Sequence, residues 1–279
     1  MNKIAVIGGS GVYNFDKMDV VTDHIVETPY GHPSDNIVEI KVDGYTCFFL
    51  ARHGKGHSIS PSEVNYRANI YALKKLGINT VISVSAVGSL KDKHAPNNFV
   101  LPSQFIDWTK GLRARTFFEK GVVGHVSTAY PVNFDLQDRI ADILESTDVK
   151  FHKGGSYVCI EGPQFSSRAE SEIYRGFNAD VIGMTNVPEA YLAKEAGMAY
   201  ATVAMVTDYD CWKEEHCTVE DIMKVMKVNY VNAQKLIKEL IPSLSEKPIV
   251  FEPENKFAVV TNPELISQEQ KDIIDILVN

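Results

Sequence analysis

Short apolar runs recur along the chain, and most of them stop at a glycine, a hydroxyl or a charge. Residues 3–7 (KIAVI) lead into Gly8-Gly9-Ser10-Gly11. NIVEIKV and YTCFFLA, within 36–51, flank Asp43-Gly44, a two-residue hairpin signal, and the second stops at Arg52-His53-Gly54. INTVISVSAV (78–87) runs into Gly88-Ser89. NFVLPSQFI (98–106) is broken by Pro102, which argues for an edge or a bulge. SYVCI (156–160) stops at Glu161-Gly162-Pro163-Gln164-Phe165, ADVIGMTN (179–186) at Met184-Thr185, and TVAMVTDYDCW (202–212) carries Asp208 and Asp210 at its end. Apolar runs of this length fit strands buried on both faces.

Stretches of helical character separate them. One runs from Pro61, with Ser60 as N-cap, to Gly77. Another, 135–146, puts Leu136, Ile140, Ile143 and Leu144 on one face. Ser167 and Glu170 form a capping box opening a helix to about Phe177. A short helix starts at Pro188-Glu189, and a long one covers 219–240 with Thr218 as its cap. The tail, 246–279, shows one strand-like run (256–260) and a short helix after Ser267. The alternation predicts a single α/β domain around a largely buried sheet.

Composition narrows the class. The chain has 279 residues, 44% hydrophobic and 23% charged, enough for one large core. A net charge of −8 argues against nucleic acid as a partner, so an anionic substrate would need a local cationic pocket. No apolar run reaches the ~20 residues of a membrane helix, and the first strand comes too early for a signal peptide. The four cysteines form no CxxC. Cys211, His216 and Cys217 lie close together without a second ligand pair, so no metal is expected. Reduced thiols in a cytoplasmic protein are the default.

Five strand ends carry chemistry: 8–11, 52–53, 85–89, 184–185 and 208–210. Glycines after a strand let backbone N–H groups approach an anion, though a plain turn suits the same residues. An Arg fork bonds bidentately to phosphate, while a surface Arg beside a satisfied His is the plainer reading. Asp208 and Asp210 would share a side if the extended form persists, and either could donate a proton if burial raises its pKa. A solvated turn or a capping aspartate explains the same pair. Phe165 suits stacking on a flat ring or ordinary core packing.

In combination these segments resemble a known family. IGGSGVY, ETPYGHPSD, LARHG, VNYRANI, SAVGSL, EGPQFSSRAE and GMTNVPEAYLAKE follow the order and spacing of the trimeric purine nucleoside phosphorylase superfamily. TDYDCW (207–212) resembles its methylthioadenosine phosphorylase branch, where the 6-oxopurine branch typically carries asparagine. The resemblance runs from residue 3 to about 240; beyond Pro242 no match is found. It implies a single three-layer α/β/α domain with a central mixed β-sheet over 1–242, and an extension over 243–279 packed on the same domain or on a neighbouring subunit.

It also implies a pentosyltransferase of purine and methionine salvage, splitting 5′-methylthioadenosine with phosphate into adenine and 5-methylthioribose 1-phosphate. Carried over by matching position, Ser10, Arg52, His53, Ser85, Ala86 and Thr185 would hold phosphate, Ser85 standing where the family often has threonine. Met184 would pack on the ribose and Phe165 on the base. Asp208 and Asp210 would contact N7 and the 6-amino group, with Asp208 and His53 as the catalytic pair. Ser166 and Val219 match specificity positions, Val219 and Ile222 would wall the methylthio group, and His125 would reach the adjacent subunit's site in a homotrimer. The resemblance implies neither metal nor organic cofactor.

Overall fold

The computed structural model describes residues 3–12, 19–213 and 219–278, with only the backbone described for Ser10, Asp19 and Val219. Its strands are β1 (Ile4–Gly8), β2 (Asp19–His24), β3 (Ile37–Val42), β4 (Tyr45–Ala51), β5 (Thr80–Ser89), β6 (Phe99–Leu101), β7 (Gln104–Trp108), β8 (Phe151–Lys153), β9 (Ser156–Ile160), β10 (Val181–Gly183) and β11 (Ala199–Tyr209). The helices are α1 (Tyr66–Lys75), α2 (Phe134–Glu145), α3 (Arg168–Gly176), α4 (Asn186–Glu195), α5 (Val219–Glu246) and α6 (Gln268–Val278). One mixed sheet joins all the strands, with helices on both faces, so the chain is a single α/β domain.

The two faces explain the continuous apolar runs. In β1, Ala5 and Ile7 join a core with α1, α4 and α6, while Ile4 and Val6 join a second core with α2 and α5. Every residue of β1 is buried because both pleat directions meet helices. The β3–β4 hairpin turns at Asp43 (φ 48°) and Gly44 (φ 88°), the left-handed pair that a two-residue connection requires.

Strand β5 organises the sheet. Its first residues, Thr80–Ser83, run parallel to β1; its last, Gly88 and Ser89, run antiparallel to β10. On the other edge β11 follows it throughout, with a bulge between Val206 and Asp208. Between the two changing neighbours, residues 84–87 pair with neither β1 nor β10. Ala86 is exposed there, in the middle of an otherwise buried strand. A change of partner at a carboxyl end is where open α/β sheets form crevices.

Several boundaries differ from the sequence reading. Helix α1 begins at Tyr66, not Pro61, because Asn65 is the cap: its side chain accepts from Ala68 N and donates to the Tyr30 carbonyl. Ser60 instead closes a local turn with Glu63, and the Ser62 hydroxyl donates to Glu161. The run 256–260 forms only an isolated bridge, Val259 with Gly124. Strands β2 and β8 carried too little apolar content to be read. The Thr218 cap lies outside the described residues, as do His216 and Cys217. The tail folds back on its own chain: Ile273 and Leu277 enter the α1–α4 core, and Ala258 and Ile266 pack on Phe118 and Val122. No helix of the described residues is long and apolar enough to cross a membrane.

Candidate active site

The crevice along residues 84–88 has two walls. On the first, Arg52 follows β4 and is 1% exposed. It does not reach outward as a free clamp. Its Nε and Nη2 donate to the Glu189 carboxylate at 2.6 and 2.9 Å, Nη2 also to Ser83 Oγ at 2.7 Å, and Nη1 to the Val84 carbonyl at 3.0 Å. Tyr200 and Ser83 donate to the same carboxylate, and Asn186 Nδ2 donates to Ser83, Tyr200 and Thr202. The network satisfies a buried ion pair that would otherwise carry a large desolvation cost. It fills the strand edge that β1 has left. Among the described residues, Val84 is the only partner of the two Nη1 protons, so one N–H is left for an anion.

Around this base stand the small donors. Ser85 Oγ lies 3.3 Å from Thr185 Oγ1, bringing the end of β5 against the start of α4. Thr185 is the N-cap of α4, yet its side chain makes no cap bond. Val187 behind it is extended (φ −118°, ψ 126°), so the helix proper starts only at Pro188, as the sequence pattern predicts, and Thr185 sits on the kinked approach to it. The Gly8 carbonyl accepts from Arg52 N, fixing the 8–12 turn beside them. Gly11 is required for packing: a side chain there would collide with the ring of Tyr230 on α5. The Ser10 side chain lies outside the described atoms.

His53 is 8% exposed, and its Nδ1 lies 2.9 Å from the Ile59 carbonyl. A carbonyl only accepts, so Nδ1 carries the proton and Nε2 presents a lone pair. Burial, reinforced by the charge of Arg52, lowers its pKa to about 4. His53 is thus neutral near pH 7, an acceptor rather than a cationic anion-binder.

The second wall is acidic. The bulge inserts Thr207 and re-aims the residues after it. A Cβ placed on Gly88 would sit 3.7 Å from Asp208 Oδ2 and 3.5 Å from Asp210 Cβ, so both aspartates gather over the same glycine. Burial raises the pKa of both; the neighbouring carboxylates Asp208 and Glu170 raise Asp210 further, against the Ser171 hydroxyl and the Cys211 amide. The Thr207 hydroxyl lies 2.6 Å from Asp208 Oδ1 and 3.1 Å from the Val87 carbonyl. The Thr207 bond opposes the effect of burial on Asp208. Among the described residues, Asp210 Oδ2 and Ser166 Oγ are buried without a hydrogen-bond partner. Six further buried polar atoms of the described residues also lack a hydrogen-bond partner, so what sets this pair apart is its place beside the gathered aspartates.

The base-side loop completes this wall. Ser167 caps α3 with the capping box the sequence predicts. Ahead of it, Phe165 is 73% exposed, so it is not a core residue. Cys211 Sγ lies 3.2 Å from the Ser166 carbonyl, joining this loop to the aspartates. Met184 is half-buried; its side chain occupies the space a Cβ on Gly162 would need.

Ile222 is half-buried near the start of α5, and the Val219 side chain is not described. His125 is exposed and makes none of these contacts. Its backbone N–H donates to the Ala258 carbonyl, on a loop tied to the tail. The sequence reading missed two residues. Glu189 anchors Arg52, and Arg113 holds the base-side loop from below. Both sit where their sequence context, a helix start and a mixed-charge loop, is ordinary. Among the described residues no three His, Cys, Asp or Glu side chains form a metal-binding group.

With this geometry in hand, likeness to known proteins becomes informative. A family model described as "Phosphorylase superfamily" matches residues 3–242. The S-methyl-5′-thioadenosine phosphorylase of Geobacter sulfurreducens is 45% identical over 278 residues, 99% of this chain and 97% of the relative. That alignment includes the tail, which the sequence reading left unmatched. The enzyme of the same name from Saccharolobus solfataricus is 50% identical over 246 residues, 88% of this chain and 91% of the relative. Among solved structures, a methylthioadenosine phosphorylase from an antarctic soil metagenomic library superposes with a TM-score of 0.93 at 45% identity, covering 100% of this chain and 99% of that one. A Schistosoma mansoni adenosine/methylthioadenosine phosphorylase variant, solved with methylthioadenosine, gives 0.84 at 32%, covering 100% and 97%. The family model spans most of the sheet and the strand ends described above, and the chain belongs to the phosphorylase superfamily.

Proposed function

We infer that the chain catalyses phosphorolysis of 5′-methylthioadenosine to adenine and 5-methylthio-α-D-ribose 1-phosphate, a pentosyl transfer serving purine and methionine salvage. The observation that carries the substrate reading is the pair Asp208 and Asp210, both with raised pKa, gathered over Gly88 with Asp210 Oδ2 unpartnered. In that position one carboxyl accepts from the 6-amino group while the other, protonated, donates to N7 of adenine. A 6-oxo ring would set oxygen against oxygen there.

The bond to break is C1′–N9. Its cleavage builds positive charge on the sugar and negative charge on the purine. Protonated Asp208 gives its proton to N7 as the negative charge grows, and Asp210 accepts from the amino group. Phe165 closes over the ring and Met184 supports the ribose. Phosphate sits against Ser10, Ser85, the Ala86 backbone, Thr185 and the remaining N–H of Arg52. The Nε2 lone pair of His53 accepts the P–OH hydrogen of the phosphate dianion, turning its ionised oxygens towards C1′. Overall, hydrogen phosphate gives up a proton and adenine gains one, so the step balances without a metal or an organic cofactor. Val219 and Ile222 wall the 5′ group, and Ser166 and Val219 tune substrate choice.

His125 serves the site of an adjacent chain in a homotrimer. Its exposure, and the exposed Val123, Phe257 and Val260 around it, support this placement. We place the enzyme in the cytoplasm, where free thiols such as Cys47, Cys159 and Cys211 stay reduced. The test is product formation from methylthioadenosine, adenosine and inosine, each with and without phosphate. Turnover should require phosphate and favour methylthioadenosine over inosine by about 10⁴-fold in kcat/KM; comparable values for the two would overturn the reading.

A further inference from the structure

Arg113 lies in the loop between β7 and α2, yet it is only 6% exposed. Its five N–H groups all have partners. Nε donates to Glu161 Oε1 at 2.9 Å. Nη1 donates to the Met184 carbonyl at 2.7 Å and the Val187 carbonyl at 2.8 Å. Nη2 donates to the Glu161 carbonyl at 2.8 Å and, more distantly, to Ile160 O at 3.4 Å. The planar fork thus holds two separate loops: the base-side loop that follows β9, and the segment from β10 into α4 that carries Met184 and Thr185. Glu161 is fixed in turn by Ser62 Oγ at 2.7 Å and Lys110 N at 2.8 Å. Although burial acts to raise the Glu161 pKa, the Ser62 and Arg113 hydrogen bonds hold it below its ordinary value. Above the cation, the two loops touch where Met184 covers Gly162, whose φ of 69° disfavours a side chain.

We propose that Arg113 is a positioning residue that sets the spacing between the base-stacking loop and the sugar-supporting segment. It touches no substrate itself. A lysine keeps the charge but presents its protons from a single point, and cannot bridge carbonyls of two loops and a carboxylate at once. Most of the phosphate pocket stands apart from it: Arg52, Ser83 and Glu189 are held by their own network, and of the phosphate contacts only Thr185 lies on a segment that Arg113 holds. Losing the fork therefore moves the nucleoside contacts on both loops but, of the phosphate contacts, only Thr185.

This inference rests on the function proposed above, and its test separates the two. Wild-type turnover of methylthioadenosine examines the function; the ratio of variant to wild type examines Arg113. In Arg113→Lys, kcat/KM for the nucleoside should fall about 100-fold, the loss a misplacement of about 1 Å produces, with the phosphate KM rising by a clearly smaller factor, since Thr185 is the one phosphate contact that moves. Amide hydrogen exchange, which needs no turnover, should speed up at 160–166 and 184–187 while β1 and β5 stay protected. Glu161→Gln, which keeps Arg113 in the core, should show the same split to a smaller degree, and serves if the arginine variant fails to fold. Equal loss for both substrates, or unchanged exchange in the two loops, would overturn the proposal.

Discussion

The two walls of the crevice are finished to different degrees. On the phosphate side a buried guanidinium is closed into Glu189, Ser83 and the Val84 carbonyl, and that network holds before any ligand arrives. On the purine side the groups wait. Asp210 Oδ2 and Ser166 Oγ are buried without partners among the described residues, burial raises the pKa of both aspartates, and Phe165 stands in solvent. The first wall spends interactions on folding. The second withholds them until a base supplies the missing donors, which is where differential binding can act on the reaction. Substitutions on the two sides should therefore separate cleanly into losses of stability and losses of rate.

The sharpest break of that contrast is Asp208→Asn. It should lower kcat/KM for methylthioadenosine about 1000-fold, by removing the proton donor, with the thermal midpoint unchanged or raised, because a buried carboxyl of raised pKa is replaced by a neutral amide. Steady-state kinetics paired with thermal unfolding decide it; a lower midpoint would mean that Asp208 supports the fold. Opposite it, Glu189→Gln should cost about 3 kcal/mol in urea unfolding, since it leaves a buried guanidinium short of its countercharge. A smaller effect in Phe165→Ala sharpens the comparison further. Nucleoside KM should rise about tenfold from lost stacking, with the unfolding midpoint unmoved because the ring is exposed.

The gentlest test is the pH dependence of folding. The His53 pKa is lowered from 6.5 to about 4 in the folded chain, so the unfolded chain binds the proton more readily. Its contribution to stability is full above 6.5 and is lost as pH falls from there towards 4. Wild type should lose more urea stability over that window than His53→Asn. Equal slopes would remove the neutral-histidine assignment.

How far these features can be read from residues alone depends on how local their causes are. The Asp43-Gly44 turn and the Ser167–Glu170 capping box are set by neighbours within four positions, and both are found where the pattern puts them. Asp208 and Asp210 were legible as a pair, but through an alternation that the bulge at Thr207 interrupts; what gathers them is the absent side chain of Gly88 on the next strand. Arg52 was legible as a cation at a strand end, while its inward fork needed Glu189, 137 positions away. Arg113 and Arg115 differ by two positions and nothing local distinguishes them. One is enclosed by Glu161 and the Met184 carbonyl; the other pairs with Asp107 near the surface. The early start assigned to α1 failed because Ser60 and Ser62 serve a turn and a distant carboxylate.

In the tail, Val123 N–H donates to Thr261 Oγ1, Val260 N–H to the Val123 carbonyl and His125 N–H to the Ala258 carbonyl. The family match stops at residue 242, but these bonds stitch the last part of the chain to the loop bearing His125. A chain trimmed at residue 242 would keep every residue of its own crevice, and cast adrift the loop that bears His125.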